Sequence, residues 1–140
     1  MSEENVEIVR RVYDAWSRGD LDTLLQTFDP NAELVLPEGG LNIGTRRGHE
    51  AISALLEGFL EIWDDLRVEP ERFFEVGDQV VVFVRIRGRG RASGVETETR
   101  PAHLGTVRAG KVIRLVIYPE RGRALEAVGL SEQDAQPDSS

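Results

Sequence analysis

The strongest constraint on the fold is a succession of β-rich segments in the second half of the chain, with turn residues between them. The segments are RVEPERFFEV at 67–76, QVVVFVRIRGRGR at 79–91, VETETRPAHLGTV at 95–107 and KVIRLVIYPE at 111–120. Their β-branched and aromatic side chains favour strands, and the pairs Gly77-Asp78 and Ala109-Gly110 favour tight turns. Four strands connected in this way predict an antiparallel meander.

Helical periodicity dominates the rest of the chain. Residues 3–18 and 49–65 carry apolar side chains at three- and four-residue spacing, which predicts two helices with one apolar face each. Asp20 can cap a shorter helix over 21–28, and residues 121–130 are typical of a short closing helix.

The remaining segments complete the predicted order of elements. AELVLP at 32–37 alternates like a short strand, and EGGLNIGTRRG at 38–48 has the composition of a flexible loop. Helices gathered on one side of a strongly bent sheet predict an α+β fold, and such a sheet often encloses a ligand pocket. We expect one domain over residues 1–130 and a flexible polar tail over 131–140.

Composition argues against several kinds of function. The net charge of −8 disfavours a nucleic-acid or anionic-membrane surface. The arginines of RIRGRGR share one strand face, but no aromatic residues interleave with them for base stacking. The chain has no cysteine, and its two histidines are far apart in sequence. We therefore expect no disulfide, no thiolate nucleophile, no metal site and no cofactor.

The cellular location is predicted from two features that the sequence lacks, a secretory signal at the N-terminus and an apolar segment long enough to span a membrane. The segment MSEENVEIVRR is acidic and amphipathic, without the apolar run of a secretory signal. No stretch approaches the roughly 20 apolar residues that a membrane span needs. We expect a cytoplasmic protein with no membrane partner.

Three segments carry a resemblance to a known family. RRVYDAWSRGDLDTLLQTFDPNAELVLP, GHEAI and GKVIRLVIYPERGRALEAVGL resemble the nuclear transport factor 2-like superfamily, in particular its SnoaL-like branch. The chain is also similar to ketosteroid isomerases and limonene epoxide hydrolases. The resemblance implies a cone-shaped, curved antiparallel sheet wrapped round a long helix, and a homodimer formed through the outer sheet face.

The resemblance also implies which side chains face the interior of the cone. On the strands these are Leu34, Leu36, Val81, Phe83, Arg85, Arg87, Pro101, His103, Gly105, Leu115 and Ile117. From the helices, Val12, Trp16, Leu55, Phe59 and Trp63 would close the cone. The outer face would then consist of Val80, Val82, Val84, Leu104 and Val116, an apolar surface that suits a dimer interface.

The residues at the family's catalytic positions depart from the known mechanisms. In the isomerase pattern the base position is Leu36, the oxyanion tyrosine position is Val12, and the oxyanion aspartate position is His103. Tyr13 lies one residue from the tyrosine position, about a hundred degrees round the helix. Glu38, in the loop, is a candidate substitute base.

The hydrolase and cyclase patterns are also incomplete. Relative to the epoxide hydrolases, Arg85 keeps the arginine, whereas Arg87 and Ile117 replace the two carboxylates that activate water. Relative to the SnoaL-like cyclases, Glu120 stands near the position of an acid, although its position at the strand end favours a role as cap of the closing helix.

An apolar pocket that holds Arg85 and His103 is therefore the leading interpretation. We expect a small, mostly apolar ligand with an acidic or carbonyl oxygen, contacted by Arg85 and His103. The other ligand-binding residues are Trp16, Val12, Leu36, Phe59, Trp63, Phe83, Leu115 and Ile117. Three alternatives stay open: His103 is the general acid or base of an isomerase, cyclase or lyase; the dimer has a filled core; or His103 is structural and Arg85 pairs with Glu98.

Overall fold

The computed structural model describes residues 2–36, 44–131 and 133, and these form four helices and seven strands. The helices are α1 (Ser2–Ser17), α2 (Leu21–Thr27), α3 (His49–Ile62) and α4 (Arg121–Ala127). The strands are β1 (Phe28–Leu36), β2 (Gly44–Arg47), β3 (Trp63–Val76), β4 (Gln79–Gly90), β5 (Glu96–Thr99), β6 (Ala102–Arg108) and β7 (Lys111–Tyr118).

The strands form one sheet in the order β2-β1-β7-β6-β4-β3, with β5 paired to β4. The predicted α+β class is confirmed, and so is the meander of antiparallel neighbours from β3 onward. The sheet is nevertheless mixed rather than wholly antiparallel, because β1 pairs in parallel with β7.

Several predicted boundaries move. The segment 95–107 forms two strands, β5 and β6, which are separated by Arg100 and Pro101. The backbone carbonyl of Pro101 accepts a hydrogen bond from the Val84 backbone N–H. The predicted loop contains β2, which pairs with β1, while residues 38–43 lie outside the described residues. Helix α3 ends at Ile62, since Trp63 already has extended backbone angles. Of the predicted tail, only Ser131 and Gln133 are among the described residues.

The short helix α2 begins as predicted at Asp20. The carboxylate of Asp20 accepts hydrogen bonds from the backbone N–H and the hydroxyl of Thr23, at 3.1 and 2.6 Å. These bonds stabilise the ionised carboxylate, so the pKa of Asp20 is lowered. Capping by Asp20 is therefore confirmed.

The sheet is covered on both faces. One face, here the inner face, packs against α1, α2 and α3, and includes Val80, Val82 and Val84 of β4. The other, the outer face, packs against α4 and includes Val81 of β4 and Leu104 of β6. The predicted orientation of β4 is thus wrong by one residue, because its valines are apolar on both sides and do not mark either face.

The side chains of β6 and β7 face the sides of the sheet that were predicted for them. Leu115 and Ile117 belong to the inner cluster, whereas Leu104 and Val116 belong to the outer one. The predicted homodimer stays a prediction, and its surface now excludes Val80, Val82 and Val84, which are buried beneath the helices.

Candidate functional site

A cavity of about 420 Å³ lies between the inner face of the sheet and the helices α1, α2 and α3. This volume is typical of a site for a small organic molecule. Eight of the ten predicted site residues line it: Val12, Trp16, Leu36, Phe59, Trp63, His103, Leu115 and Ile117. Their role in ligand binding stays a prediction.

Phe83 and Arg85 do not line the cavity, so their predicted inward orientation is wrong. The Phe83 ring packs edge-on against Phe74, with centroids 4.9 Å apart, on the outer face. Arg85 Nε donates to Glu98 Oε1 at 2.9 Å, as the alternative interpretation expected. On β4 the cavity is lined by Ile86 and Gly88 instead.

The inward direction of His103 follows from its partner across the sheet. His103 pairs with Val82 of β4 and with Ile117 of β7, and directly opposed residues share a face. Val82 and Ile117 both pack in the inner cluster. His103 is therefore held against the cavity from both sides of β6, and only 7% of its surface is exposed.

His103 forms a buried hydrogen bond with Tyr13 of α1. The distance between Tyr13 Oη and His103 Nδ1 is 2.8 Å, and the two rings lie 17° from parallel. Tyr13 reaches this position because it lies on the apolar face of α1 beside Val12 and close to Trp16, and all three line the cavity. Its ring also meets Phe73 edge-on, with centroids 6.4 Å apart.

Burial keeps both partners of this hydrogen bond neutral at pH 7. It lowers the pKa of His103 to about 4, because the imidazolium would be removed from water. It raises the pKa of Tyr13, because the phenolate would be desolvated in the same way. When the Tyr13 hydroxyl donates to Nδ1, the proton of the neutral imidazole lies on Nε2.

The rest of the described cavity wall is almost entirely apolar. Among the lining residues within 2–36 and 44–131, the other hydroxyl groups belong to Thr97 and Thr99, and none of the side chains carries a charge at pH 7. An anion entering the cavity would therefore lose its hydration without finding a countercharge there.

The other candidate residues lie elsewhere. Arg87 pairs with Glu69, at 2.6 Å, on the exposed outer side. Glu120 occupies the N-cap position of α4, but its side chain makes no capping hydrogen bond, so the expected capping by this side chain is wrong. Glu38, the candidate substitute base, lies outside the described residues.

Sequence reasoning missed Tyr13, Thr97 and Thr99 as cavity residues. For the threonines a signal exists, since ETET places Thr97 and Thr99 on one face of a strand and the two glutamates on the other. For Tyr13 the apolar stripe of α1 shows which way the side chain points, but its partner lies 90 residues further along the chain.

The described residues lack two kinds of feature. No helix within them combines the length and apolarity needed to cross a membrane. Nor do three or more histidine, aspartate or glutamate side chains in this part of the chain converge as metal ligands would.

Comparison with protein families gives a match over residues 9–115 to the SnoaL-like domain. The chain belongs to the SnoaL-like domain family. This SnoaL-like protein is similar to an uncharacterized protein of Mycobacterium tuberculosis. The two are 32% identical over 112 residues, and the aligned region covers 79% of this chain and 85% of the relative.

Solved structures establish the fold type. The SnoaL-like chain is similar to an NTF2-like protein of unknown function from Burkholderia pseudomallei, with a TM-score of 0.77 and 24% identity over 92% of this chain and 99% of that one. It is also similar to TerC, co-crystallized with polyporic acid, with a TM-score of 0.75 and 29% identity over 89% and 97% of the two chains. The fold is therefore NTF2-like, as the resemblance implied.

Proposed function

We propose that this SnoaL-like protein binds a small, mostly apolar molecule and holds a carbonyl oxygen of that molecule beside His103. The observation that carries the proposal is the neutral Tyr13–His103 pair on the wall of an otherwise apolar cavity. A neutral donor surrounded by apolar side chains favours a ligand with one hydrogen-bonding group on an apolar body.

The hydrogen bond through Nδ1 leaves Nε2 for the ligand. Among the described residues, Tyr13 is the side chain that hydrogen-bonds to the His103 ring. With the Tyr13 hydroxyl as donor to Nδ1, the Nε2–H group can donate to a carbonyl oxygen in the cavity. Tyr13 thereby acts as a positioning residue that fixes both the tautomer and the orientation of the ring.

Charge favours a carbonyl over a carboxylate. Arg85, the expected countercharge, pairs with Glu98 outside the cavity. His103 is uncharged at pH 7 because burial lowers its pKa to about 4. A carboxylate would lose its hydration shell without a cationic partner, whereas a ketone exchanges one hydrogen bond to water for one to the protein.

The likeness to TerC offers an additional probe. TerC was co-crystallized with polyporic acid, and its structure matches most of this chain. Polyporic acid is therefore a further compound to test for binding, although the uncharged cavity wall favours neutral compounds over acids.

The proposal is tested with three compounds that share one ring system: 9-fluorenone, fluorene and fluorene-9-carboxylate. Their effects on the melting temperature are followed by circular dichroism. A ligand at a hundred times its dissociation constant stabilises the folded state by about 2.7 kcal/mol. We expect the largest shift with the ketone, a smaller one with the hydrocarbon and the smallest with the carboxylate.

Three variants locate the effect. His103→Phe and Tyr13→Phe should each reduce the advantage of fluorenone over fluorene by up to about tenfold in affinity, the worth of one neutral hydrogen bond. Arg85→Ala is the matched control, because Arg85 lies on the outer face and should leave all three affinities unchanged. Equal stabilisation by ketone and hydrocarbon, or no shift with any compound, would contradict the proposal.

Catalysis with His103 as general acid or base has less support than binding. A pKa of about 4 makes the ring a weak base at pH 7. The lining residues within 2–36 and 44–131 also include no carboxylate that could take a proton beside the carbonyl. Deuterium exchange at the α-carbon of a bound ketone such as 1-tetralone, present in the wild type and lost in His103→Phe, would reverse this preference.

A further inference from the structure

The cavity has a second polar region, formed by β5. Thr97 and Thr99 both line the cavity and are exposed to solvent, whereas Tyr13 and His103 are buried. The cavity therefore has a closed end at the Tyr13–His103 pair and an open end at β5. Each end offers hydrogen-bonding groups, and apolar side chains such as Ile86 and Trp63 lie on the wall as well.

The strand register gives the separation of the two ends. His103 is opposite Val82 on β4, and Thr99 is opposite Ile86 on the same strand. Val82 and Ile86 are four residues apart, which corresponds to about 13 Å along a strand that rises about 3.3 Å per residue. Both ends face the inner side of the sheet, so one elongated molecule can reach both.

The face of β5 that points away from the cavity carries two ion pairs. Glu98 pairs with Arg85 at 2.7 Å, and Glu96 pairs with Arg89 at 3.3 Å. Because side chains alternate along a strand, these two contacts on the outer side turn Thr97 and Thr99 towards the cavity. Arg85, which the sequence offered as a ligand contact, therefore contacts β5 on the side away from the cavity.

The two threonines differ in what their hydroxyl groups already bind. Thr97 Oγ1 lies 3.5 Å from the carbonyl oxygen of Gly88, at the limit of a hydrogen bond. The Thr99 hydroxyl has no hydrogen-bonding partner among residues 2–36, 44–131 and 133. Thr99 is thus the better placed of the two to donate to, or accept from, a ligand.

We infer that the ligand is an elongated, rigid molecule with a second oxygen at its far end, and that Thr99 recognises this oxygen. The inference rests on the proposed function, since it assumes that a carbonyl group occupies the closed end. To the proposed function it adds the length of the ligand and the position of the ligand's second polar group. It also names Thr99 as a residue that determines specificity.

The test uses androst-4-en-3-one and its 17β-hydroxy derivative, rigid ketones that differ only in an oxygen at the far end. Binding is followed by quenching of intrinsic fluorescence, because both tryptophans of the chain, Trp16 and Trp63, line the cavity. We expect the hydroxylated ketone to bind the wild type about three- to tenfold more tightly, which is the range for one neutral hydrogen bond.

Two isosteric variants identify the residue responsible. Thr99→Val should abolish the preference and leave the affinity for the simple ketone unchanged. Thr106→Val is the matched control, since Thr106 is a strand residue outside the cavity lining and should keep the preference. Melting curves of both variants verify that they are folded.

The outcomes separate this inference from the proposed function. Equal binding of the two ketones to the wild type, or a preference that survives in Thr99→Val, overturns the role of Thr99 while carbonyl binding stands. Failure of both ketones to bind contradicts carbonyl binding in this cavity, and the inference falls with it.

Discussion

Tyr13 Oη lies 2.8 Å from Nδ1 of His103, a hydrogen bond that spans 90 residues of sequence. It connects α1 to β6 at the closed end of the cavity, where both side chains are buried. The same contact thus stabilises the packing of the helix on the sheet and sets the orientation of the polar group that we assign to ligand binding.

Removing one partner of this hydrogen bond should lower the stability of the folded protein. Tyr13→Phe leaves the buried Nδ1 of His103 without its partner, and we expect a loss of about 1–3 kcal/mol in the free energy of unfolding. Urea unfolding of the purified variant measures this loss. In the double variant Tyr13→Phe/His103→Phe the two effects should not add, because no unpaired buried group remains. Simple additivity would show that the bond contributes little.

Acid should destabilise the protein through His103. Its pKa is about 4 in the folded state and about 6.5 in an unfolded chain, so below pH 6.5 the unfolded chain binds a proton that the folded protein excludes. The resulting stability is fully present above pH 6.5 and is lost as the pH falls towards 4, by about 3 kcal/mol in total.

Chemical unfolding at several pH values between 7 and 4, compared between wild type and His103→Phe, measures this contribution. The wild type should lose stability more steeply over this interval than the variant. Parallel curves for the two proteins would mean that His103 does not titrate as its burial requires.

Gly88 should be intolerant of a larger side chain. A Cβ atom at this position would lie 3.1 Å from Leu66 Cδ1 and 3.3 Å from Trp63 Cε3, closer than such atoms normally approach. Gly88→Ala should therefore displace the Trp63 indole from the cavity wall, with a loss of about 1 kcal/mol in stability. The change in tryptophan emission and the urea midpoint are the measurements.

Gly58 provides the control for this substitution. It lies within α3, and a Cβ there would meet nothing within 4 Å. Gly58→Ala should raise stability by about 0.5–1 kcal/mol, since alanine restricts the unfolded chain and suits a helix. Equal effects of the two alanines would argue that Trp63 does not depend on the space beside Gly88.

Arg85→Ala should leave both the stability of the protein and the ketone end of the cavity nearly unchanged. Arg85 and Glu98 form a partly exposed ion pair, with side chains 34% and 38% exposed, and such pairs contribute little to stability. We expect a nearly unchanged melting temperature and unchanged binding of a simple ketone. Titration with androst-4-en-3-one measures the affinity, and a large loss would return Arg85 to the list of ligand contacts.

Most of the architecture was predictable because the turns are marked in the sequence. Gly77 and Gly110 both have positive φ, at +62° and +78°, in the turns that join β3 to β4 and β6 to β7. Glycine adopts this conformation without strain, so each turn fixes where its strands end. The strand β2 was missed, because GTRR has no apolar alternation and forms only by pairing with β1.

The inner face of β4 was not predictable from local pattern. Val81 and Val82 are both fully buried, since helices cover one face of the strand and α4 covers the other. A strand that is apolar on both sides has no alternation from which to read its faces, and a shift of one residue reverses them all. That shift removed Arg85 from the candidate site and brought in Gly88.

The parallel pairing of β1 with β7 affects how the chain folds while it is being synthesised. β7 lies between β1 and β6 in the sheet, yet more than half of the 140 residues separate the end of β1 from the start of β7. A nascent chain that has not reached Lys111 has no strand to connect the β2–β1 pair with the β6–β4–β3 meander. Such long-range pairing slows folding and leaves apolar strand edges exposed in the meantime. The strand that unites the sheet, β7, is therefore synthesised after all the other strands.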